Sequence, residues 1–142
     1  MPSANVELVR SIWAAWERGD WSSVEWAHPD IEYVRADGPE PGSWTGLAGM
    51  SRGFRGWLSA WEGYRFNADE YRELDDARVL VLGHQGGRGK TSGLELGQIG
   101  TKAAALFHVH GGKVTRLVIY ADRQRALADL GLAPEVDATD PR

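Results

Sequence analysis

The stretch "VIYADRQRAL", Val118 to Leu127, joins an alternating apolar run to a segment of helical period, and one carboxylate, Asp122, stands at the join. Two chemistries are open to an aspartate in that place. It can accept backbone N–H bonds as the N-cap of the following helix, which favours its charged form. It can also exchange a proton with a ligand, provided that it faces a cavity. His108 enters through the preceding hairpin. If His110-Gly111-Gly112 form a three-residue loop, Val109 faces Lys113, and His108 shares a face with Arg116, Val118, Tyr120 and Asp122. A two-residue Gly-Gly turn shifts the register by one and puts His108 on the face opposite Asp122. The first register gives one mixed polar face and leaves Phe107, Val109, Leu117 and Ile119 on an apolar one.

Other constellations carry less. His108 and His110 put two imidazoles on one strand face, but a metal needs a third or fourth ligand of the right type, and no partner stands out. No metal site and no cofactor are expected. "GHQGGRGKTSG" invites a phosphate-loop reading. His84 stands where the pattern wants its first glycine, and a β pattern follows where a helix is needed. The stretch Gly83–Gly93 is therefore expected to bind no nucleotide and to serve a bulge or hairpin turn. Tyr33, Glu70 and His84 could reach a cavity mouth from their strands. Glu70 has the parity of Phe66 and Ala68.

Three helices are expected to position these groups. Val6, Val9, Ile12, Trp13 and Trp16 recur at helical spacing over Asn5–Arg18, with Ser3 or Asn5 as cap and Gly19 as stop. Asp20 would cap a second, short helix, "WSSVEWA". A third runs from Leu47 to Trp61, its apolar period kept by Met50, Phe54, Trp57, Leu58 and Trp61 despite Gly49, Gly53 and Gly56. "IEYVR" reads as a strand and "ADGPEPGSWTG" as a loop. The rest alternates as strands. "SGLELGQIGTKAAALFHVH" reads as one long strand, or as two with a bend at Gly100. "DRQRALADLG" closes the chain as a short helix. Helices first and an antiparallel meander after them define an α+β fold. Residues 1–132 are expected to form one domain, followed by a polar tail over 133–142.

Composition narrows the function. The net charge is -4, from 16 basic and 20 acidic residues, which argues against nucleic acid. No apolar run approaches the ~20 residues of a membrane span. The N-terminus lacks the pattern of a signal peptide, so a cytoplasmic protein is expected. There is no cysteine, hence no disulfide framework and no thiolate. Seven tryptophans in 142 residues point to an aromatic-walled cavity or an interface. Trp13, Trp16, Phe54 and Trp57 of the first and third helices are the expected walls, with Tyr120 from the last strand.

The pieces "WERGDWSSVEWAHPDIEYV", "GSWTGLAGM" and "FHVHGGKVTRLVIYADRQRALADLGL" resemble the SnoaL-like branch of the nuclear transport factor 2-like (NTF2-like) superfamily, over nearly the whole chain. The resemblance implies a cone: three N-terminal helices packed in a strongly curved antiparallel sheet, with a short C-terminal helix. It also implies a homodimer through the outer sheet face. SnoaL-type polyketide cyclases use an aspartate at the end of the last strand and a histidine on the strand before it. Asp122 and His108 fall on those positions. Steroid isomerases use a first-helix tyrosine and a first-strand aspartate. Ile12 and, nearly, Arg35 hold those places, so that chemistry is not expected. Limonene-type epoxide hydrolases need an Arg-x-Asp on an inner strand. Here Arg18–Asp20 ends a helix and Arg35–Asp37 enters a loop. The expected function is binding of a small, largely apolar molecule, with cofactor-free acid/base catalysis on a carbonyl compound by Asp122 and His108. The alternative is a non-catalytic binding or interaction module of the same fold.

Overall fold

The first helix, α1 (Ala4–Glu17), starts where Ser3 accepts a hydrogen bond from Val6 N at 3.1 Å and buries Val6, Val9, Ile12, Trp13 and Trp16. The computed structural model describes residues 3–37, 41–89 and 102–134. α1 and α2 (Gly46–Ser59) precede most of the sheet, and α3 (Arg123–Asp129) follows it. This corrects the expected three N-terminal helices. "WSSVEWA" forms no helix, because local side-chain bonds compete with one. Asp20 accepts from the N–H and hydroxyl of Ser22 at 3.1 and 2.9 Å, and the Trp26 indole donates to Ser23 O at 2.8 Å.

Strands β1 (Ala27–Arg35), β2 (Gly42–Thr45), β3 (Trp61–Glu73), β4 (Arg78–Gly89), β5 (Lys102–His110) and β6 (Lys113–Tyr120) make one sheet in the order β2-β1-β6-β5-β4-β3. β1 and β6 pair in parallel, and every other neighbouring pair is antiparallel. The all-antiparallel sheet is corrected by that one pair. Ser43 and Trp44, read as loop, belong to β2, and Trp61, read as the end of a helix, opens β3. The part of "GHQGGRGKTSG" up to Gly89 continues β4. Lys90, the expected strand and bend through Gly100, and the tail from residue 135 lie outside the described residues.

One sheet face packs on α1 and α2 through Ile31, Tyr33, Phe66, Val79, Val81, Ala103, Ala105, Phe107 and Leu117. The other carries Leu80, Leu82, Ala104, Leu106, Val118 and Tyr120, covered by Ala126 and Leu127 of α3. Two bulges decide which side chain goes where. Ala68 pairs with Gly83 and Glu70 with Leu82, so Asp69 is an extra residue that inverts the parity of β3 beyond it. In the β5–β6 hairpin, Gly111 and Gly112 both have positive φ, +58° and +77°, and form a two-residue turn, with His110 opposite Lys113. Thr115 is then the extra residue, and His108 faces Arg116. The turn is the shorter of the two considered, yet the bulge returns His108 to the face of Arg116, Val118 and Tyr120.

Candidate functional site

A pocket of about 510 Å³, counting the open solvent at its mouth, lies between the inner sheet face, α1 and α2. Helical period brings Trp16 to it from α1, and Phe54, Trp57 and Leu58 from α2. Strand alternation brings Tyr33 and Arg35 from β1, Tyr64 and Phe66 from β3, Gln85 from β4 and Ile119 from β6. Trp21, which follows α1, stacks on Trp16 with centroids 4.9 Å apart and planes 15° from parallel. Phe54 meets both rings edge-on, at 5.9 and 6.0 Å, and meets Tyr33 at 4.8 Å. The walls are therefore interlocked rings, whose packing fixes each other's rotamers.

Five of the described lining side chains carry a hydroxyl, an amide or a charge. The Tyr64 hydroxyl donates to Gln85 Oε1 at 2.8 Å. Burial pushes the Tyr64 pKa up. Burial also pushes Tyr33 up to about 12, against the opposing influence of Arg35, so both phenols are neutral donors at ordinary pH. Arg35 is 7% exposed. Its guanidinium carbon lies 4.4 Å from the ring centroid of Trp44, 5.2 Å from Trp57 and 5.8 Å from Tyr33, and Nη1 donates to Gly53 O at 3.1 Å. Gly53 makes this approach possible: a Cβ there would sit 2.8 Å from the Tyr33 ring and 2.9 Å from that of Trp44. Asp37 stands at the rim beside Ala121. Its carboxylate accepts from Ala121 N at 2.5 Å and Asp122 N at 3.3 Å, tying the end of β1 to the end of β6.

The residues singled out in the sequence divide between the two faces. Trp16, Tyr33, Phe54 and Trp57 line the pocket. Trp13 lies behind the wall, fully buried, with its edge on Phe66 and its indole donating to Phe66 O at 3.1 Å. Glu70 is on the outer face, because the Asp69 bulge removes it from the parity of Phe66, and it pairs with Arg72 at 2.6 Å. His84 also faces outward and meets Asp69 Oδ1 at 2.8 Å. Tyr120 packs in the outer cluster with α3. Asp122 is exposed and caps α3, accepting from Gln124 N at 3.0 Å. His108 is half-buried on the outer face. Burial, then Arg116 and Arg78, hold its imidazole below the usual pKa, and its Nε2 has no hydrogen-bond partner among the described residues. Asp122 and His108 do not meet in the pocket.

Trp21, Arg35, Asp37, Tyr64 and Gln85 were not picked out as pocket residues. For Arg35 a signal existed, since it lies two residues beyond Tyr33 on the same strand. For Gln85 there was none, because "VLVLG" is apolar on both faces and shows no parity.

A six-stranded mixed sheet with α1 and α2 on one face and an aromatic-lined pocket between them is an α+β architecture. Residues 9–117 match the family described as SnoaL-like domain, and the chain belongs to that family. Its solved relatives share the NTF2-like fold. An NTF2-like protein of Burkholderia thailandensis is 23% identical, with a TM-score of 0.70 over 84% of this chain and 90% of that one. A Sinorhizobium meliloti protein proposed to be a polyketide cyclase is 20% identical, with a TM-score of 0.62 over 84% and 94%. A Catenulispora acidiphila protein with a ketosteroid isomerase-like fold, in complex with trimethylamine, is 19% identical, with a TM-score of 0.63 over 89% and 94%. Identities this low carry the fold alone. No curated protein matches the chain. Among the described residues no group of three or more His, Asp or Glu could hold a metal ion, and no helix is long and apolar enough to cross a membrane.

Proposed function

We propose that the chain holds a small, largely apolar ring compound in the pocket between α1, α2 and the inner sheet face, and acts as a binding module. The observation that carries this is the wall of interlocked rings, Trp16, Trp21, Tyr33, Phe54, Trp57 and Tyr64, around an open space with few polar groups. Such a site holds flat apolar surface and orients it by a few hydrogen bonds. The trimethylamine complex of the Catenulispora relative supports the cone as a place for small molecules.

Acid/base catalysis by Asp122 with His108 is the competing reading. The geometry favours binding. Asp122 has a sufficient role as the cap of α3, and His108 sits on the opposite side of the sheet from the pocket. For catalysis, the carboxylate would have to leave the cap and reach past Ala121 into the rim.

Trp16, Trp21 and Trp57 make the test direct. Ring compounds of about ten heavy atoms should change tryptophan emission saturably and raise the unfolding free energy, by about 2.7 kcal/mol at 100 times the dissociation constant. Leu58→Trp, which adds an indole to the lining, should abolish both effects in a folded protein. Binding that survives Leu58→Trp would move the site elsewhere. A folded Asp122→Asn variant that loses about 10²–10⁴-fold in turnover of a bound carbonyl compound would restore the catalytic reading.

A further inference from the structure

We infer that Gln85 selects the guest of the pocket, by giving its amide N–H groups to an acceptor-only polar atom on a flat ring, a ring nitrogen or a carbonyl oxygen. The inference rests on the pocket being a ligand site and names the group that orients what it takes. Gln85 stands on β4 opposite Phe66 and is 3% exposed, yet it lines the open space. A primary amide has one acceptor and two N–H donors, and its neighbours decide which end faces where. The Trp57 indole can only donate, and it donates to the Tyr64 hydroxyl. The Tyr64 oxygen is the acceptor there, so its own proton goes to Gln85 Oε1 at 2.8 Å. This relay fixes the amide with its oxygen on Tyr64. Among the described residues no acceptor meets its nitrogen. The sealed polar atoms without a partner are Trp61 Nε1 and His108 Nε2 among the described residues, whereas the Gln85 nitrogen is open to the pocket.

The acceptors of the lining are in use. Asp37 accepts from Ala121 N and Asp122 N, the Tyr33 hydroxyl accepts from Arg35, and Gln85 Oε1 accepts from Tyr64. A hydroxyl or amine guest would bring donors to a wall whose acceptors are already engaged. A cation would also meet the permanent charge of Arg35. A bare hydrocarbon would fill the aromatic wall but leave the Gln85 N–H pair unmatched in a largely apolar site, which is costly. A flat ring with one acceptor atom matches both parts, its ring against the aromatic wall and its acceptor on the amide. That single bond also sets which way round the ring lies, which stacking alone does not.

Equilibrium dialysis of the intact chain with quinoline and naphthalene, in mildly alkaline buffer where quinoline is unprotonated, tests this. The two compounds share one fused-ring shape and differ by a single ring nitrogen. Apolar burial alone ranks naphthalene first. With Gln85 as donor, quinoline should bind at least as tightly. Gln85→Met, which keeps the length of the side chain without its amide, should shift the ratio of affinities about tenfold toward naphthalene, the factor expected of one buried hydrogen bond. Tyr64→Phe, which releases the amide oxygen, should bring part of that shift. Tighter binding of naphthalene by the unaltered protein would overturn the inference and leave the pocket as a site for plain rings. So would a ratio that Gln85→Met leaves unchanged. Binding of neither compound would overturn both the pocket reading and the inference built on it. The comparison within the unaltered protein stands even if a variant fails to fold.

Discussion

Arg35 and Arg123 are both nearly buried, at 7% and 5% exposure, and the protein holds them in different ways. Arg123 begins α3 and reaches back across the sheet. It donates to Asp69 Oδ2 at 2.7 Å, Gly83 O at 2.5 Å and Ala103 O at 3.3 Å, so one side chain fastens α3 to β3, β4 and β5. Arg35 lies against the rings of Trp44 and Trp57, donates to Gly53 O and to the Tyr33 hydroxyl, and lines a pocket. Burial alone therefore does not tell structure from function in a charged residue. What differs is the setting: Arg123 spans three strands through backbone oxygens and a carboxylate, whereas Arg35 sits among aromatic faces at a pocket. The first arrangement is a clamp. The second places a charge at the wall of a pocket.

The largest expected effect falls on the clamp. Arg123→Met should cost about 3 kcal/mol, since two carbonyls lose a donor at once and Asp69, itself well exposed, loses less. Denaturant titration of the purified variant measures this, and a loss no larger than that of Arg35→Met would break the distinction between the two arginines. Gly53→Ala comes next, at about 2 kcal/mol, because its methyl would overlap the Tyr33 and Trp44 rings. Gly56, on the same helix, has nothing within 4 Å of a built Cβ, so Gly56→Ala should stabilise by about 0.5–1 kcal/mol. Thermal unfolding of the pair separates packing from propensity. Asp122→Ala should cost about 1 kcal/mol and Asp122→Asn much less, as only the alanine loses the cap. The smallest effect concerns His108. Its folded pKa lies below the unfolded value of 6.5, so the unfolded chain takes up the proton first. Stability should fall as pH drops from about 6.5 toward the folded pKa, and His108→Asn should flatten that slope. A slope unchanged in the variant would assign it to other groups.

Much of this was legible in the sequence, for reasons that differ by element. α1 follows from Val6, Val9, Ile12, Trp13 and Trp16, and the structure shifts its ends by one residue. The pocket walls Trp16, Phe54 and Trp57 follow from helical period, and Tyr33 follows from its strand. The errors arise where one residue changes the count. Asp69 as a bulge turns Glu70 outward, although the parity of Phe66 and Ala68 puts it inside. Thr115 as a bulge reconciles a two-residue turn with the face expected from a longer one. A bulge depends on both strands of a pair, so the alternation of either strand alone does not reveal it. "WSSVEWA" failed differently. Asp20, Ser22 and Ser23 bond locally, and the ring of Trp21 finds Trp16 rather than a helical neighbour.

That last contact gives the molecule an optical property. Two indoles 4.9 Å apart and within 15° of parallel are close enough for their excited states to mix. Where the two transition dipoles are skewed within their near-parallel planes, a mixed pair shows paired bands of opposite sign in circular dichroism. Because both rings line the pocket, a guest that parts or tilts them rewrites that couplet. Trp21→Phe should remove this pair's share of the signal and leave that of Trp13–Trp16, at 5.1 Å, and of Trp57–Trp61, at 5.2 Å.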